Sequence, residues 1–315
     1  MLISIDVSPD GKRIAFPRII KQNDLQRQIC IYDLELKRII YQKISELDEY
    51  DPCFSKDGSK LLFSSRKPGD TPDGYCYPGH IKLLDLNTNS ISIITSDSVR
   101  SDGNCWFSPD NEKIVFYGYI PKDQLFGTMD IYLYDIKSST TKRLTHEDLT
   151  LIPYPCFLDK DTIVINRENE STHCVYLAKL EAQNKYKPVP ITKTDGEDYG
   201  VLFPQSTSAG KILCTVNNRY TYELSLFEEG KFTVLTKSNL CFSTPRYCQS
   251  NNTIYWTMGN IDLMSMNLDT RKITKIADRS LFYQDSGNRG CMTAGVSVLL
   301  VFASLSLLVG ACLAH

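Results

Sequence analysis

The chain has 315 residues, of which 42% are hydrophobic and 10% aromatic, so it can bury a large core. Its formal net charge is −2 and it contains no basic run, so the sequence offers no electrostatic footprint for nucleic acid. Eleven cysteines without a C-x-x-C pair argue against a zinc or redox site.

A short phrase recurs three times in the first half of the chain. It reads V-S-P-D-G-K-R-I-A-F at 7–16, C-F-S-K-D-G-S-K-L-L-F at 53–63 and W-F-S-P-D-N-E-K-I-V-F at 106–116. Pro presets the φ of a turn position and Gly tolerates positive φ, so each copy predicts a tight turn between two strands. The serines Ser8, Ser55 and Ser108 are 47 and 53 residues apart, which is the length of one propeller blade.

Each copy of this phrase is followed by two further apolar stretches. The first of them reads I-C-I-Y-D-L at 29–34, I-K-L-L-D-L at 81–86 and I-Y-L-Y-D-I at 131–136, and the second closes the unit. The second half of the chain repeats the same order less regularly, beginning with P-C-F-L-D-K-D-T-I-V-I at 155–165. We therefore count six units of four strands each.

A four-stranded sheet with two apolar faces cannot bury both alone, whereas six such sheets arranged radially bury each face against a neighbour. The sequence therefore predicts an all-β fold, a six-bladed β-propeller with four antiparallel strands per blade, followed by one C-terminal hydrophobic helix. The phrase S-P-D-G-K-R-I-A-F with I-x-I-Y-D-L and R-x-L-T resembles the WD40-like repeat of TolB-type propellers over residues 2–277. This resemblance implies protein binding through the faces or the central channel of the propeller.

The cysteines allow either a disulfide framework or reduced thiols. Cys53 and Cys156 occupy one slot of the repeat, and Cys30 and Cys174 occupy another, all inside predicted strands. Free cysteine packs like a small hydrophobic residue, so this placement favours buried thiols.

The C-terminal end of the chain differs in kind from the repeats. We divide the sequence into a propeller at 1–277, a linker at 278–295 and an uncharged apolar segment at 296–314. As a helix, this last segment would be about 28 Å long, close to the thickness of the hydrocarbon core of a bilayer. The sequence therefore predicts attachment to a membrane.

Two kinds of anchor fit this apolar segment. A retained transmembrane helix would make a tail-anchored protein with a cytosolic propeller, because Met1 begins directly in the first predicted strand with no leader before it. The alternative is a cleaved GPI-type signal with the lipid at Ser286, which would place the protein at the cell surface and would need a leader upstream. A retained helix could also dimerise through the small residues Ser306, Gly310 and Ala314.

No catalytic constellation is recognisable in the sequence. Related propellers cap the active site of prolyl-oligopeptidase-like peptidases, but this chain has no G-x-S-x-G elbow and no room for a hydrolase domain after the sixth unit. The four histidines are not at metal-ligand spacing, and Asp10, Asp57 and Asp110 have a structural role as residues that cap turns. We therefore expect no catalytic residue, metal or cofactor, and predict that the protein is not an enzyme.

One face of the predicted propeller is raised over the first three blades. The connections between the second and third strands of each blade lie on this face, and the sequence predicts long loops there at 17–28, 66–80 and 118–129. Aromatic and basic side chains on loops held by a rigid scaffold are typical of interfaces. The candidate partner-binding residues on these loops are Tyr75, Tyr77, Tyr119, Lys122 and Phe126. Alternatively, these rings fold back over the channel mouth.

Together these features predict a non-enzymatic, membrane-tethered propeller that acts as a protein–protein interaction scaffold. Two alternatives stay open: a sensor of a small ligand or carbohydrate bound in the channel, and a residual hydrolase or lyase. Ligand-dependent stabilisation of the propeller would distinguish the sensor from the scaffold.

Overall fold

A computed structural model of the chain shows six four-stranded antiparallel sheets, each built from four consecutive strands. It describes residues 3–21, 26–43, 45–69, 78–121, 127–146, 154–169, 172–180, 188–190, 200–207, 210–218, 221–259 and 262–284. The prediction of an all-β, six-bladed propeller is confirmed over these residues.

Each blade runs from an inner strand at the channel to an outer strand at the rim. Blades 1 to 3 contain β1 (Asp6–Val7), β2 (Arg13–Lys21), β3 (Gln26–Asp33), β4 (Arg38–Gln42), β5 (Asp48–Phe54), β6 (Lys60–Arg66), β7 (His80–Asp85), β8 (Ile91–Ile93), β9 (Ser101–Phe107), β10 (Lys113–Pro121), β11 (Gly127–Asp135) and β12 (Thr140–Arg143). Blades 4 to 6 contain β13 (Cys156–Phe157), β14 (Thr162–Asn169), β15 (Thr172–Lys179), β16 (Pro188–Pro190), β17 (Gly200–Ser206), β18 (Ile212–Asn218), β19 (Thr221–Glu228), β20 (Lys231–Ser238), β21 (Phe242–Cys248), β22 (Thr253–Met258), β23 (Asp262–Asn267) and β24 (Ile273–Ala277).

The recurring S-P-D-G phrase forms the turn between the first and second strands of a blade. In blade 2, the Ser55 hydroxyl donates to Asp57 at 2.5 Å and accepts the backbone N–H of Lys60 at 2.9 Å. The hydrogen bond from Ser55, together with those from Ser59, lowers the pKa of Asp57 to about 2. Gly58 adopts φ +70°, a conformation that glycine reaches without steric cost. The same bond joins Ser8 to Asp10 and Ser108 to Asp110, so the phrase recurs because blades 1 to 3 make the same turn.

The aspartate of the recurring I-Y-D-L phrase caps the turn between the third and fourth strands. Asp33 Oδ1 accepts the backbone N–H groups of Glu35 and Leu36 at 2.9 and 2.7 Å. Lys37 closes this turn in the left-handed region, at φ +52°. Asp85, Asp135 and Asn267 cap the same turn in blades 2, 3 and 6. We call the side of the propeller that carries these short turns the turn face, and the opposite side, where second strands connect to third strands, the raised face.

The core lies between neighbouring blades, as the radial arrangement predicts. Between blades 1 and 2, for example, Ile29 and Ile31 pack against Leu61, Phe63 and Leu84, all nearly inaccessible to solvent. The thiols are part of this core, since Cys30, Cys53 and Cys156 are free and buried. The side chain of Cys174 lies outside the described residues.

A short segment after the last strand, residues 279–284, closes the ring; we call it the closing segment. β1 pairs with β2 only at Asp6 and Val7, which leaves the end of β2 near the raised face without an inner neighbour. There the backbone N–H of Ile19 donates to the carbonyl of Phe282 at 2.8 Å, and that of Gln284 donates to the carbonyl of Ile19 at 2.9 Å. The closing segment thereby joins blade 6 to blade 1. It belongs to the stretch 278–295 that the sequence assigned to a linker.

Met1–Gln284 form one compact unit, and residues 285–315 lie outside the described part of the chain. The predicted C-terminal helix at 296–314 and the candidate lipid site Ser286 therefore fall there as well. Within the described ranges, no helix has the length and apolar character needed to cross a membrane.

Candidate functional site

Unusual backbone conformations occur in the inner strands around the central channel. Four inner strands carry a register shift next to a residue in the left-handed region. These residues are Asp51 (φ 53°), Asn104 (φ 47°), Phe203 (φ 52°) and Thr244 (φ 43°). Such a conformation is unfavourable for phenylalanine and threonine in particular, and it persists only where the surrounding structure enforces it. The bulges bend the inner strands and redirect their side chains at the channel.

Asp51 connects three blades at the wall of the channel. Its backbone N–H donates to the Ser4 hydroxyl in the chain before β1 at 3.1 Å, and its carboxylate accepts the backbone N–H of Asn104 in blade 3 at 3.2 Å. Burial raises the pKa of Asp51, and the hydrogen bond with Ser4 and the charge of Arg27 offset only part of this effect. Asp51 is thus a half-buried residue with a raised pKa at the junction of blades 1, 2 and 3.

Arg246 of blade 6 crosses the channel. Its guanidinium carbon lies 4.6 Å from the ring centre of Trp106 in blade 3, the blade opposite, and its Nε lies 3.3 Å from Asp6 Oδ1 in blade 1. Asp6 also accepts the backbone N–H of Phe54 in blade 2 at 2.7 Å. Burial raises the pKa of Asp6 in spite of the opposing charge of Arg246. These contacts join four of the six blades in a single layer.

Three tyrosines lie between this layer and the raised face. Tyr50, Tyr117 and Tyr154 come from blades 2 to 4, and each is half-buried. Burial raises the pKa of all three hydroxyl groups, and Tyr50, Asp51 and Tyr154 add to this effect at Tyr117, so the four residues share one electrostatic environment. Tyr154 also meets Phe203 edge to face, with ring centres 4.7 Å apart. We call Tyr50, Asp51, Tyr117 and Tyr154 the mouth cluster.

A charged group borders the mouth cluster on the side of blades 1 and 2. Asp48 forms ion pairs with Arg27 at 2.6 Å and Arg66 at 3.2 Å, and its side chain is almost completely buried. Both guanidinium groups also lie over the ring of Tyr50, at 4.5 and 5.6 Å from its centre. Asp48 thus fixes the two arginines through ion pairs, and the arginines fix the ring of Tyr50 through cation–π contacts.

The structure places one of the predicted partner-binding residues. Tyr119 lies in β10 and is half-buried, and its ring packs directly on Gly127 of β11, where any larger residue would collide with it. Tyr75, Tyr77, Lys122 and Phe126 lie outside the described residues. The predicted loops at 17–28 and 118–129 are wrong in extent, because β2 continues to Lys21 and β10 continues to Pro121 as paired strands.

Sequence reasoning missed Asp6, Asp51, Trp106 and Arg246. One signal was available, since proline follows the inner-strand position of Asp51 in four blades, as D-P, Y-P, F-P and T-P. Proline inside a strand pattern marks an edge or a bulge, so it could have marked the distorted wall of the channel. As for metals, no group of three or more His, Cys, Asp or Glu side chains suited to a metal ion occurs in the described ranges.

Solved structures with this architecture come from several kinds of protein. TolB from Acinetobacter baumannii superimposes with a TM-score of 0.66 at 18% identity, covering 85% of this chain and 64% of that chain. The fold is that of a TolB-type propeller. The propeller also matches an oligogalacturonate lyase in complex with manganese, with a TM-score of 0.61, 12% identity and coverage of 87% of this chain and 76% of that one. A structure from an analysis of two prolyl endopeptidases matches with a TM-score of 0.56, 15% identity and coverage of 87% and 42%.

No protein-family model and no curated protein matches the TolB-type propeller described here. At these identities the structural similarity establishes the fold alone, and the chain spans less than two thirds of the TolB structure.

The prediction that the protein is not an enzyme is wrong, because it took the lack of space for a hydrolase domain as decisive. An oligogalacturonate lyase has this fold over 76% of its length, so a chain that is mostly propeller is compatible with catalysis. The resemblance to TolB-type propellers is confirmed at the level of the fold.

Proposed function

We propose that this protein is a binding propeller that recognises a partner polypeptide at its raised face, with the mouth cluster at the centre of the interface. The observation that carries the proposal is the contact between Arg246 and Trp106, which crosses the channel between opposite blades. Because of it, a partner approaching along the channel from the raised face meets Tyr50, Tyr117 and Tyr154 before this layer.

The side chains of the mouth cluster are those typical of the centre of an interface. Tyrosine and arginine are the side chains most enriched where binding energy concentrates, since each combines a large apolar surface with a polar end. The mouth cluster supplies three tyrosines and a carboxylate, and Arg27 and Arg66 fix the position of Tyr50. The predicted residues Tyr75 and Tyr77 follow β6 in the sequence, and Lys122 and Phe126 follow β10; both strands end at this same face.

The test compares partner recovery between a loop variant and a matched control. Replacing Tyr75, Tyr77 and Phe126 together with alanine removes three rings from the segments that connect β6 to β7 and β10 to β11, whereas Ile93→Ala removes an exposed apolar side chain from the outer strand β8. We expect the triple variant to lose partners that both wild type and Ile93→Ala recover from cells, at an unchanged thermal unfolding midpoint. Equal recovery by all three proteins would contradict the proposal.

A second candidate is a carbohydrate ligand bound at the mouth cluster. The favouring observation is that the guanidinium groups of Arg27 and Arg66, which pair with Asp48, flank the ring of Tyr50, so an aromatic ring and two cations lie together beside Asp51. That combination suits an acidic sugar. Adding oligogalacturonate should then raise the thermal unfolding midpoint, and analysis of the sugar afterwards tests a lyase activity. An unchanged midpoint and intact sugar would leave the polypeptide partner as the proposal.

We further propose that residues 296–314 tether the propeller to a membrane. Their uncharged apolar sequence supports this. Mass spectrometry of the mature termini distinguishes the two anchors: an intact C-terminus indicates a retained helix, and a lipid near Ser286 indicates a GPI-type anchor.

A further inference from the structure

A groove opens between blades 4 and 5 on the turn face, away from the mouth cluster. It has a volume of about 460 Å³, and its walls are Leu158 and Leu177 of blade 4 and Ile212 and Phe227 of blade 5. The turn between β19 and β20, residues 228–230, forms its rim. This volume lies within the range of about 300–1,000 Å³ that ligand pockets occupy.

The apolar wall of the groove continues along the outer strand of blade 5. β20 has eight residues, whereas the outer strand of blade 4, β16, has three. Phe232 and Val234 of β20 are 38% and 40% exposed, and Phe232 lies against Phe227 with ring centres 5.0 Å apart. A contiguous exposed apolar strip of this kind marks an interaction surface more often than isolated apolar residues do.

β20 also offers a backbone edge. It pairs with β19 on one side, and within the described part of the chain no strand pairs with its other side. An exposed strand edge is a template for an extended segment of another chain, because its N–H and C=O groups are aligned for a ladder. An edge of eight residues beside an apolar groove favours an extended polypeptide over a small molecule.

The charged residues at the rim of the groove indicate which charge a complementary polypeptide would carry. The charged residues that line the groove are Glu228 and Glu229. Lys211 pairs with Glu228 at 2.9 Å and neutralises it, while Glu229 is exposed at the tip of the turn. A cationic side chain next to an apolar one would place the apolar group in the groove and the cation at Glu229.

We propose that the groove between blades 4 and 5 is a second docking site, which binds an extended partner segment carrying a large apolar residue next to a lysine or arginine. The segment pairs with the edge of β20, inserts the apolar side chain over Phe227 and Phe232, and places the cation at Glu229. This site is on the face opposite to the mouth cluster, so the propeller can hold two partners at once.

Selection of peptides on the full-length protein tests this proposal. Random dodecapeptides displayed on phage are selected on wild type, and the enriched peptides are measured against Val234→Asp, Glu229→Gln and Ile93→Asp. The control Ile93→Asp places the same charge on the outer strand β8 of blade 2, at a side chain that is 65% exposed. Thermal unfolding shows whether each variant is folded, and Phe232→Ser replaces Val234→Asp if that variant is not.

The expected result is an enriched pattern of a large apolar residue beside a basic one. Binding should weaken about tenfold or more on Val234→Asp, because a carboxylate would be desolvated against the peptide. It should weaken about fivefold on Glu229→Gln, the effect of one surface ion pair, and stay unchanged on Ile93→Asp. Peptides without a basic residue, peptides that bind Val234→Asp as tightly as wild type, or no enrichment at all would overturn the proposal.

Discussion

Arg246 and Trp106 come from opposite blades and meet across the channel, with the guanidinium carbon 4.6 Å from the ring centre. The Nε atom of the same guanidinium group lies 3.3 Å from Oδ1 of Asp6, whose side chain is almost completely buried. A buried ion pair gains Coulomb energy but loses the hydration of both ions, so its net contribution to stability is small. Removing only one of the two ions is strongly destabilising, because the other ion stays buried without a counter-ion.

Replacing Arg246 with methionine should lower the free energy of unfolding by about 3–5 kcal/mol, because Asp6 is left buried without its counter-ion. The double variant Asp6→Asn/Arg246→Met should recover much of this loss, since it contains no buried charge at this position. Urea unfolding of wild type, both single variants and the double variant measures the coupling. Strictly additive effects would show that the two side chains do not stabilise each other.

Asp51 makes stability depend on pH. Burial raises its pKa above the ordinary 3.8, so the folded state binds this proton more tightly than the unfolded state does. The contribution of Asp51 to stability therefore falls as pH rises from 3.8 towards the raised pKa. Asparagine cannot ionise, and Asn104 shows that it fits the equivalent left-handed position of blade 3. The stability of Asp51→Asn relative to wild type should thus increase with pH through this window.

The measurement is the free energy of unfolding in urea at a series of pH values, for Asp51→Asn and wild type side by side. Other carboxyl groups titrate in both proteins, so the difference between the two curves isolates Asp51. A difference that is constant with pH would show that the pKa of Asp51 is the same in the folded and unfolded states.

The part of the fold that could be predicted from the sequence is the part encoded in short local motifs. The Ser55–Asp57 turn and the Asp33 cap are each determined within six residues of sequence, and their repetition gives the number of blades. The contact between Arg246 and Trp106 joins residues far apart in the chain, and it depends on bulges that change the register of the inner strands. The repeat predicts a strand at those positions but not the residue that faces the channel.

The closing segment gives a prediction about the integrity of the ring. The ring of Phe282 is completely buried and meets Phe16 edge to face, with centres 5.4 Å apart. Phe282→Ala should lower the free energy of unfolding by about 3–5 kcal/mol, because it leaves a cavity between blades 6 and 1. The control Ile273→Ala changes an exposed residue of β24 and should cost less than about 0.5 kcal/mol.

Hydrogen exchange shows whether the loss in Phe282→Ala comes from opening of the ring. The amides of Ile19 and Gln284 bond across this closure, so both should exchange faster in Phe282→Ala than in wild type. Unchanged protection at Ile19 would mean that the closing segment stays in place without its aromatic ring.

Lys37 occupies a left-handed position, at φ +52°, in the turn that Asp33 caps. A side chain in this region costs about 1–2 kcal/mol relative to the right-handed one, and glycine avoids that cost but loses about 0.5–1 kcal/mol of chain entropy. Lys37→Gly should therefore increase the free energy of unfolding by about 0.5 kcal/mol. Glu35→Gly in the same turn has no such strain to relieve and should decrease it, since Glu35 does not adopt positive φ. Urea unfolding of the two variants gives the sign of each change, and equal losses in both would show that the turn at Lys37 is unstrained.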